Sequence, residues 1–563
     1  MRKAILVATA AALAGMAGAA QSATWDDLVK AGMQGKNWLT YGGDLGQGRY
    51  WPNGKVNTAN VKKLAVKWVF QTGVLGSFEN TPIVEDGIMY VTTPYDHAFA
   101  VDAKTGAQLW HYEHKLGKVP YCCGPNNRGV ALLGDNVFMG TLDADLIALN
   151  KKTGEKVWET QVADPESGYS LTLAPTIYKD KVIVGISGGE YGIRGMITAY
   201  NAADGKMAWR WYTIPTPDQA APDGAKGWEG AYVEKADGMN DLHRDIAGEK
   251  AAAADPKNKD AWMRGGAGNW MTDTIDTKTG ILYATLGNPS PDLDGSVRPG
   301  DNRWSDSIVA LKADTGELIW AYQYVPHDVW DLDATSPPLL AWAPDEHGKK
   351  VPVVISGGKT GWVYVHDRAT GKLIRRSAPM VPQENMFALP TEGEGTRMLP
   401  GANGGVEWSP GAFDPKLGYA YFVNLHQPMH YAFKHEPWQK GALWLAGAFT
   451  AIPGEKQWGN VVAVNLANGK IAWEHRTAEP MIGGELVTAG GLVFAGEANG
   501  WFKAYDAKTG KEAWKFLCGA GVNSAPMGFE VGGKPYVAVA AGGNFQINSK
   551  LGDTFKLMTW AFR

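Results

Sequence analysis

Short apolar runs such as Ile147-Ala148-Leu149 and Val461-Val462-Ala463-Val464 alternate along this chain with a recurring polar turn, and another strand-like run follows each turn. The turn reads Asp102-Ala103-Lys104-Thr105-Gly106 and leads to Trp110; Asn150 to Gly154 leads to Trp158, and Asn201 to Gly205 leads to Trp209. Lys312 to Gly316 leads to Trp320, Asn465 to Gly469 to Trp473 and Asp506 to Gly510 to Trp514, whereas Asp367 to Gly371 has Arg375 in the tryptophan's place. This is the pattern of a hairpin. The Asx side chain bonds the turn backbone, and the glycine takes the positive φ that a tight turn with a bulge requires. A tryptophan four residues past the glycine stands on the next strand, where it can pack between neighbouring sheets. Spacings of 48, 51 and 41 residues, from Trp110 to Trp158, Trp158 to Trp209 and Trp473 to Trp514, match one four-stranded propeller blade. The pattern predicts an all-β propeller.

Length supports a ring. A single core stops growing near roughly 250–300 residues, but a propeller blade packs only on its neighbours, so 563 residues can form one domain. Three stretches break the rhythm: Pro215 to Asp260, polar and partly helical around Ala251–Ala254; Ser377 to Gly401; and His426 to Gln457. The last holds Tyr431, Phe433, Trp438, Trp444 and Phe449, which suit either the wall of an apolar pocket or an ordinary packed loop. The start, Met1-Arg2-Lys3 then an apolar run to Ala20 with small residues through Ala23, reads as a secretory signal peptide over 1–23, leaving a domain over 24–563. That run is shorter than the roughly 20 residues of a membrane span, and nothing later is apolar for as long. A formal charge of −4 without a long basic run argues against a nucleic-acid partner.

Of three cysteines, two are adjacent, in Tyr121-Cys122-Cys123-Gly124-Pro125. A bridge between neighbours closes no useful loop, so the usual chain-entropy stabilisation is nearly absent. Two buried thiols are one reading. An oxidised pair kept for its surface is the other, and export to an oxidising compartment favours it. Cys518 reads as a packing cysteine.

From Asn37-Trp38-Leu39-Thr40-Tyr41-Gly42-Gly43-Asp44 to the last repeat, and including the adjacent cysteines, the chain resembles the pyrroloquinoline-quinone (PQQ)-dependent alcohol dehydrogenases of the periplasmic methanol and ethanol dehydrogenase type. The resemblance implies an eight-bladed propeller with PQQ on its axis. It places a vicinal disulfide, Cys122–Cys123, on one face of the quinone and Trp270 on the other. Arg128 matches a partner of the quinone carboxylates, Glu79, Thr172 and Ser187 match further polar contacts, and Trp408 matches the tryptophan of an Asn-Trp pair. Glu407 stands where that asparagine is expected.

Glu190, Asn288 and Asp331 match the family's metal ligands and catalytic base, an all-oxygen set for a hard cation. Asp333, two positions beyond Asp331, is an extra carboxylate where calcium-type relatives carry an uncharged residue, so the resemblance points to the lanthanide-type branch, with Ca²⁺ as the alternative. Asp333 as a cap of the loop before Pro337-Pro338 is the competing reading. The implied reaction is oxidation of a primary or secondary alcohol by hydride transfer to PQQ, with Asp331 taking the hydroxyl proton and Lys359 hydrogen-bonding the quinone oxygens. No Cys-x-x-Cys-His occurs, so electrons are expected to leave to a separate periplasmic cytochrome c or similar carrier. A sugar or polyol dehydrogenase would use the same cofactor, and a non-catalytic envelope propeller would share only the repeat. Neither the alcohol nor the assembly, a homodimer included, is legible.

Overall fold

The computed structural model describes residues 22–221, 224–543 and 556–562; the expected signal segment lies outside them except for Ser22 and Ala23. Four-stranded antiparallel sheets succeed one another in chain order and form an all-β propeller. In the first, Ile83–Glu85, Ile88–Thr93, His97–Asp102 and Gln108–Glu113 pair in that order, and the pattern returns with Ala131–Leu133 through Lys156–Gln161 and with Thr176–Tyr178 through Met207–Tyr212. Inner strands are short and wholly or nearly buried, whereas outer strands such as Gln108–Glu113 alternate exposed and buried positions. One sheet joins distant parts of the chain: Leu64–Phe70 pairs with Lys556–Phe562, which pairs with Lys534–Ala541.

The repeated turn is as the sequence predicts. Asp102 accepts from the backbone of Lys104 and Thr105, Gly106 donates its N–H to the Asp102 carbonyl at 2.7 Å, and a bulge falls at Ala100/Val101. Five of the six repeat tryptophans then clasp the following sheet. The indole N–H of Trp110 donates to the carbonyl of Lys151, that of Trp158 to Ala202, Trp209 to Ala313, Trp320 to Arg368 and Trp473 to Ala507, always the second residue of the next turn. Trp68, outside the sequence pattern, does the same to Ala103. Arg375 replaces the indole with a guanidinium that donates to the equivalent carbonyl of Leu466, at 3.1 Å, and to that of Ala467.

The turn glycines are held by these rings. Gly154 has φ +74°, and a Cβ there would lie 2.7 Å from the Trp110 ring. Gly154→Ala is therefore expected to destabilise the protein by about 1–3 kcal/mol, through both backbone strain and overpacking. Gly418→Ala, at φ +68° with open space around it, carries the strain alone. Equal losses in denaturation midpoint for the two variants would refute the clasp.

The departures from the repeat build on one another. The second and third insertions, separate in sequence, contribute Thr396–Met398, Met429–Phe433 and Gly447–Ala451 to one three-stranded sheet. The first insertion holds the small ladder Lys235–Ala236 with Asn240–Asp241 and the helix Ile246–Ala253, capped by Asp245. Among the described residues no helix is long and apolar enough to cross a membrane.

Candidate cofactor and metal site

The site residues sit on loops at one end of the inner strands. Glu79, Arg128, Thr172, Trp270 and Asp333 precede the inner strands that start at Ile83, Ala131, Thr176, Thr274 and Leu339. Ser187, Asn288 and Lys359 follow the second strands that end at Val184, Thr285 and Gly357. Inner and second strands run antiparallel, so both loop sets open at the same end. They enclose a cavity of ≈ 250 Å³ lined by Cys122, Cys123, Arg128, Thr172, Ser187, Glu190, Trp270, Asp331, Asp333, Lys359 and Trp408. Two predicted residues lie just behind this wall: Glu79, paired with Arg128, and Asn288.

Arg128 organises one half. Its guanidinium pairs with Glu79 at 2.6 Å and donates to the Thr172 hydroxyl at 2.8 Å, which shares a hydrogen bond with the Ser187 hydroxyl at 2.7 Å. Its Cζ lies 5.1 Å from the ring centre of Trp270 and 4.9 Å from that of Trp408. These two rings and the buried Arg128–Glu79 pair make an aromatic, hydrogen-bonding end to the cavity.

The other half is acidic. Lys359, 3% exposed, places its Nζ 2.8 Å from Asp331 Oδ1 and 2.8 Å from Asp333 Oδ2. Asp333 Oδ1 accepts the backbone N–H of Asn288 at 2.8 Å, so Asp333 ties two site loops together and does not cap its own. A side chain at Gly287 would collide with that same oxygen, a Cβ lying 2.5 Å from it. Asp331 has φ +60°, a conformation that costs a non-glycine residue about 1–3 kcal/mol and gathers at functional sites. Burial, and beyond it the neighbouring Asp333 and Asp292, push the Asp331 carboxyl well above the usual range, against the pull of Lys359. Burial alone would lower the Lys359 amine, but the carboxylates of Asp331, Asp333 and Glu407 override it and raise it well above its ordinary value. Glu190 is likewise raised, chiefly by burial.

Asp292 was not among the sequence-predicted residues. It lines the cavity, four positions beyond Asn288, and burial together with Glu190 and Asp333 drives its carboxyl far up. Its place beside Glu190 depends on how separate loops converge, although an acid closing the Pro-rich run Asn288 to Asp292 was the available signal. The expected disulfide is not formed: Cys122 and Cys123 are free thiols with sulfurs 2.9 Å apart. Joining them takes an oxidation, which contact alone does not perform. Both sulfurs face the site, reaching with a Glu190 oxygen into a group whose atoms lie within 4.8 Å of one another. The aromatic insertion is partly a pocket wall, because Met429, Leu445 and Phe449 line the cavity while Trp438 and Trp444 hydrogen-bond the backbone of Tyr191 and Glu436.

These residues fit a hard cation and an anionic planar ligand. Glu190 Oε2 and Asp292 Oδ1 are buried oxygens without hydrogen-bond partners, and five carboxyls, Glu407 included, line the cavity with one lysine. At the other end the Arg128 Nε and Trp408 Nε1 donors are buried and unpartnered.

Fold and site thus define a β-propeller with a cofactor-sized cavity at one end of its inner strands. The PQQ family model, described as glucose/ethanol/alcohol dehydrogenase, β-propeller domain, matches residues 38–240, 243–388 and 447–537. The quinoprotein alcohol dehydrogenase PedH of Pseudomonas putida is 36% identical, over 95% of this chain and 91% of the relative. The crystal structure of the quinohemoprotein alcohol dehydrogenase of Comamonas testosteroni superposes with a TM-score of 0.83 at 31% identity, covering 95% of this chain and 82% of that one. A europium-containing methanol dehydrogenase superposes with a TM-score of 0.81 at 29% identity, covering 95% and 100%. The chain belongs to the PQQ-dependent alcohol dehydrogenase family.

Proposed function

We propose that this protein is a periplasmic quinoprotein that oxidises a primary or secondary alcohol to the aldehyde or ketone and passes the electrons to an external cytochrome c. The observation that carries the reading is the meeting of Asp331, Asp333 and Lys359 with Glu190 and Trp270 around one cavity. In this reading the mature chain from residue 24 forms a single propeller, and its successive sheets are the eight blades of one ring.

Trp270 is the flat floor for PQQ and the Cys122–Cys123 pair the opposite face, while Arg128, Glu79, Thr172, Ser187 and Trp408 form its carboxylate end. Glu190, Asn288, Asp331 and Asp333 hold the cation, a lanthanide(III) in preference to Ca²⁺. When bound, the quinone supplies a two-electron acceptor and the cation a Lewis acid. Asp331 takes the proton from the alcohol hydroxyl. The Lys359 Nζ, pinned between Asp331 and Asp333, keeps a charged N–H donor at the place where negative charge develops. Met429, Leu445 and Phe449 shield the apolar end of the alcohol and exclude water.

The test is dye-linked oxidation by apo-protein reconstituted with PQQ and metal, across alcohols, sugars and polyols. Turnover of alcohols supports the reading. Turnover of sugars alone would move it to the sugar and polyol enzymes, and absence of PQQ binding would abolish it. Trp270→Ala is expected to weaken PQQ binding about tenfold or more, measured by titration of apo-protein, because the stacking face is lost.

A further inference from the structure

Glu407 and Asp292 are charged-type residues of the cavity that the roles above leave unused, and Glu407 is the one beside Trp408 at the aromatic end. It is 5% exposed, lines the cavity beside Trp408, and its Oε2 is buried with no hydrogen-bond partner. Its position is built. Gly405 donates to the Lys359 carbonyl at 2.9 Å and Val406 to that of Gly358 at 3.1 Å, laying this loop against the lysine segment. Gly404, at φ +66°, makes the close approach feasible, since a Cβ there would lie 2.3 Å from Lys359 Cα.

The charged groups facing Glu407 are Lys359, Arg128, Glu79 and Asp333. Both cations are committed elsewhere. Lys359 spans Asp331 and Asp333, and Arg128 holds Glu79 and Thr172. The two remaining neighbours are acids. An ionised Glu407 would therefore be a further carboxylate on a lysine that already spans two, set against a ligand that itself carries three carboxylates, an arrangement burial disfavours. A protonated Glu407 has a donor to offer, and its side chain is part of the cavity lining.

We propose that Glu407 meets the quinone as a neutral carboxylic acid and donates its proton in a hydrogen bond to an oxygen of PQQ. The inference rests on the PQQ reading above and adds to it a proton that must be present for tight binding. Burial, with Glu79 and Asp333, outweighs the opposing pull of Lys359 and Arg128 and raises the Glu407 carboxyl to about 8, so the acid form persists through neutral pH and is lost above it.

The test is PQQ titration of full-length apo-protein, with metal present, followed by tryptophan quenching at pH 7 and pH 9 for wild type, Glu407→Gln and Glu407→Ala. Glutamine keeps a donor and cannot ionise. It is expected to bind within about threefold of wild type at pH 7, whereas alanine loses about tenfold. Wild-type affinity should fall about tenfold more than that of Glu407→Gln between pH 7 and pH 9, because only the acid form of Glu407 binds and its proton is lost above about 8. Parallel pH profiles for wild type and Glu407→Gln would overturn the proposal, as would wild-type affinity in Glu407→Ala or a loss in Gln equal to that in Ala. Those results leave the PQQ reading standing; failure of wild type to bind PQQ removes both. Matching thermal midpoints of the apo-proteins check folding, and should alanine not fold, the glutamine profile decides alone.

Discussion

Asp331→Asn, loaded with PQQ and metal, should turn over alcohol at about 10⁻² to 10⁻⁴ of the wild-type rate, the range lost with a general base. The substitution isolates proton transfer from architecture. Asparagine tolerates the left-handed backbone better than other residues, so φ +60° at this position survives the change. Its side-chain oxygen can still accept from Lys359, which now sits 2.8 Å from Asp331 Oδ1, so the lysine and Asp333 need not move. What disappears is the capacity to take a hydroxyl proton. Quinone content read from absorbance should stay near one per chain, and turnover close to normal in such a preparation would remove Asp331 as the base.

A second large effect is expected from the metal. Apo-protein reconstituted with PQQ and a light lanthanide should exceed the same protein with calcium by about tenfold or more in turnover, the stronger Lewis acid being the trivalent ion. The donor set argues for high charge: Glu190, Asp331 and Asp333 are carboxylates, Asp292 stands beside them, and Lys359 is the one cation in that half of the cavity. Asp333→Asn should abolish the lanthanide advantage, since it removes one negative charge while keeping an oxygen to accept the Asn288 N–H. Full activity with calcium and no gain from a lanthanide would reassign the ion and leave Asp333 as the tie between two loops.

What the sequence disclosed and what it withheld divide along contact distance. The turn, its glycine and the tryptophan four residues on are local, so the repeat and the propeller were readable from residue types and spacing. The acceptor of each indole was not readable, because it lies on the following sheet; the clasp explains why Arg375, also a donor with reach, can stand in for tryptophan. The family motif carried Asp331, Asp333, Lys359 and Trp270 to positions that the structure gathers into one cavity. Asp292 escaped because its neighbour Glu190 comes from a different loop, and the two later insertions were seen as separate excursions because what joins them is the pairing of Thr396–Met398 with Met429–Phe433, across a gap in sequence. The state of Cys122 and Cys123 depends on an oxidant, which neither spacing nor contact encodes.

The pairing of Leu64–Phe70 with Lys556–Phe562 has a consequence for birth order. The strand Leu64–Phe70 must wait for one made nearly 500 residues later, on the order of a minute at about 5–20 residues per second. Throughout that interval its hydrogen-bonding edge is unanswered, an invitation to pair with a neighbouring chain. The nascent protein is thus an open arc with an adhesive lip until the last segment arrives, and anything that guards the chain before it closes has that lip to cover.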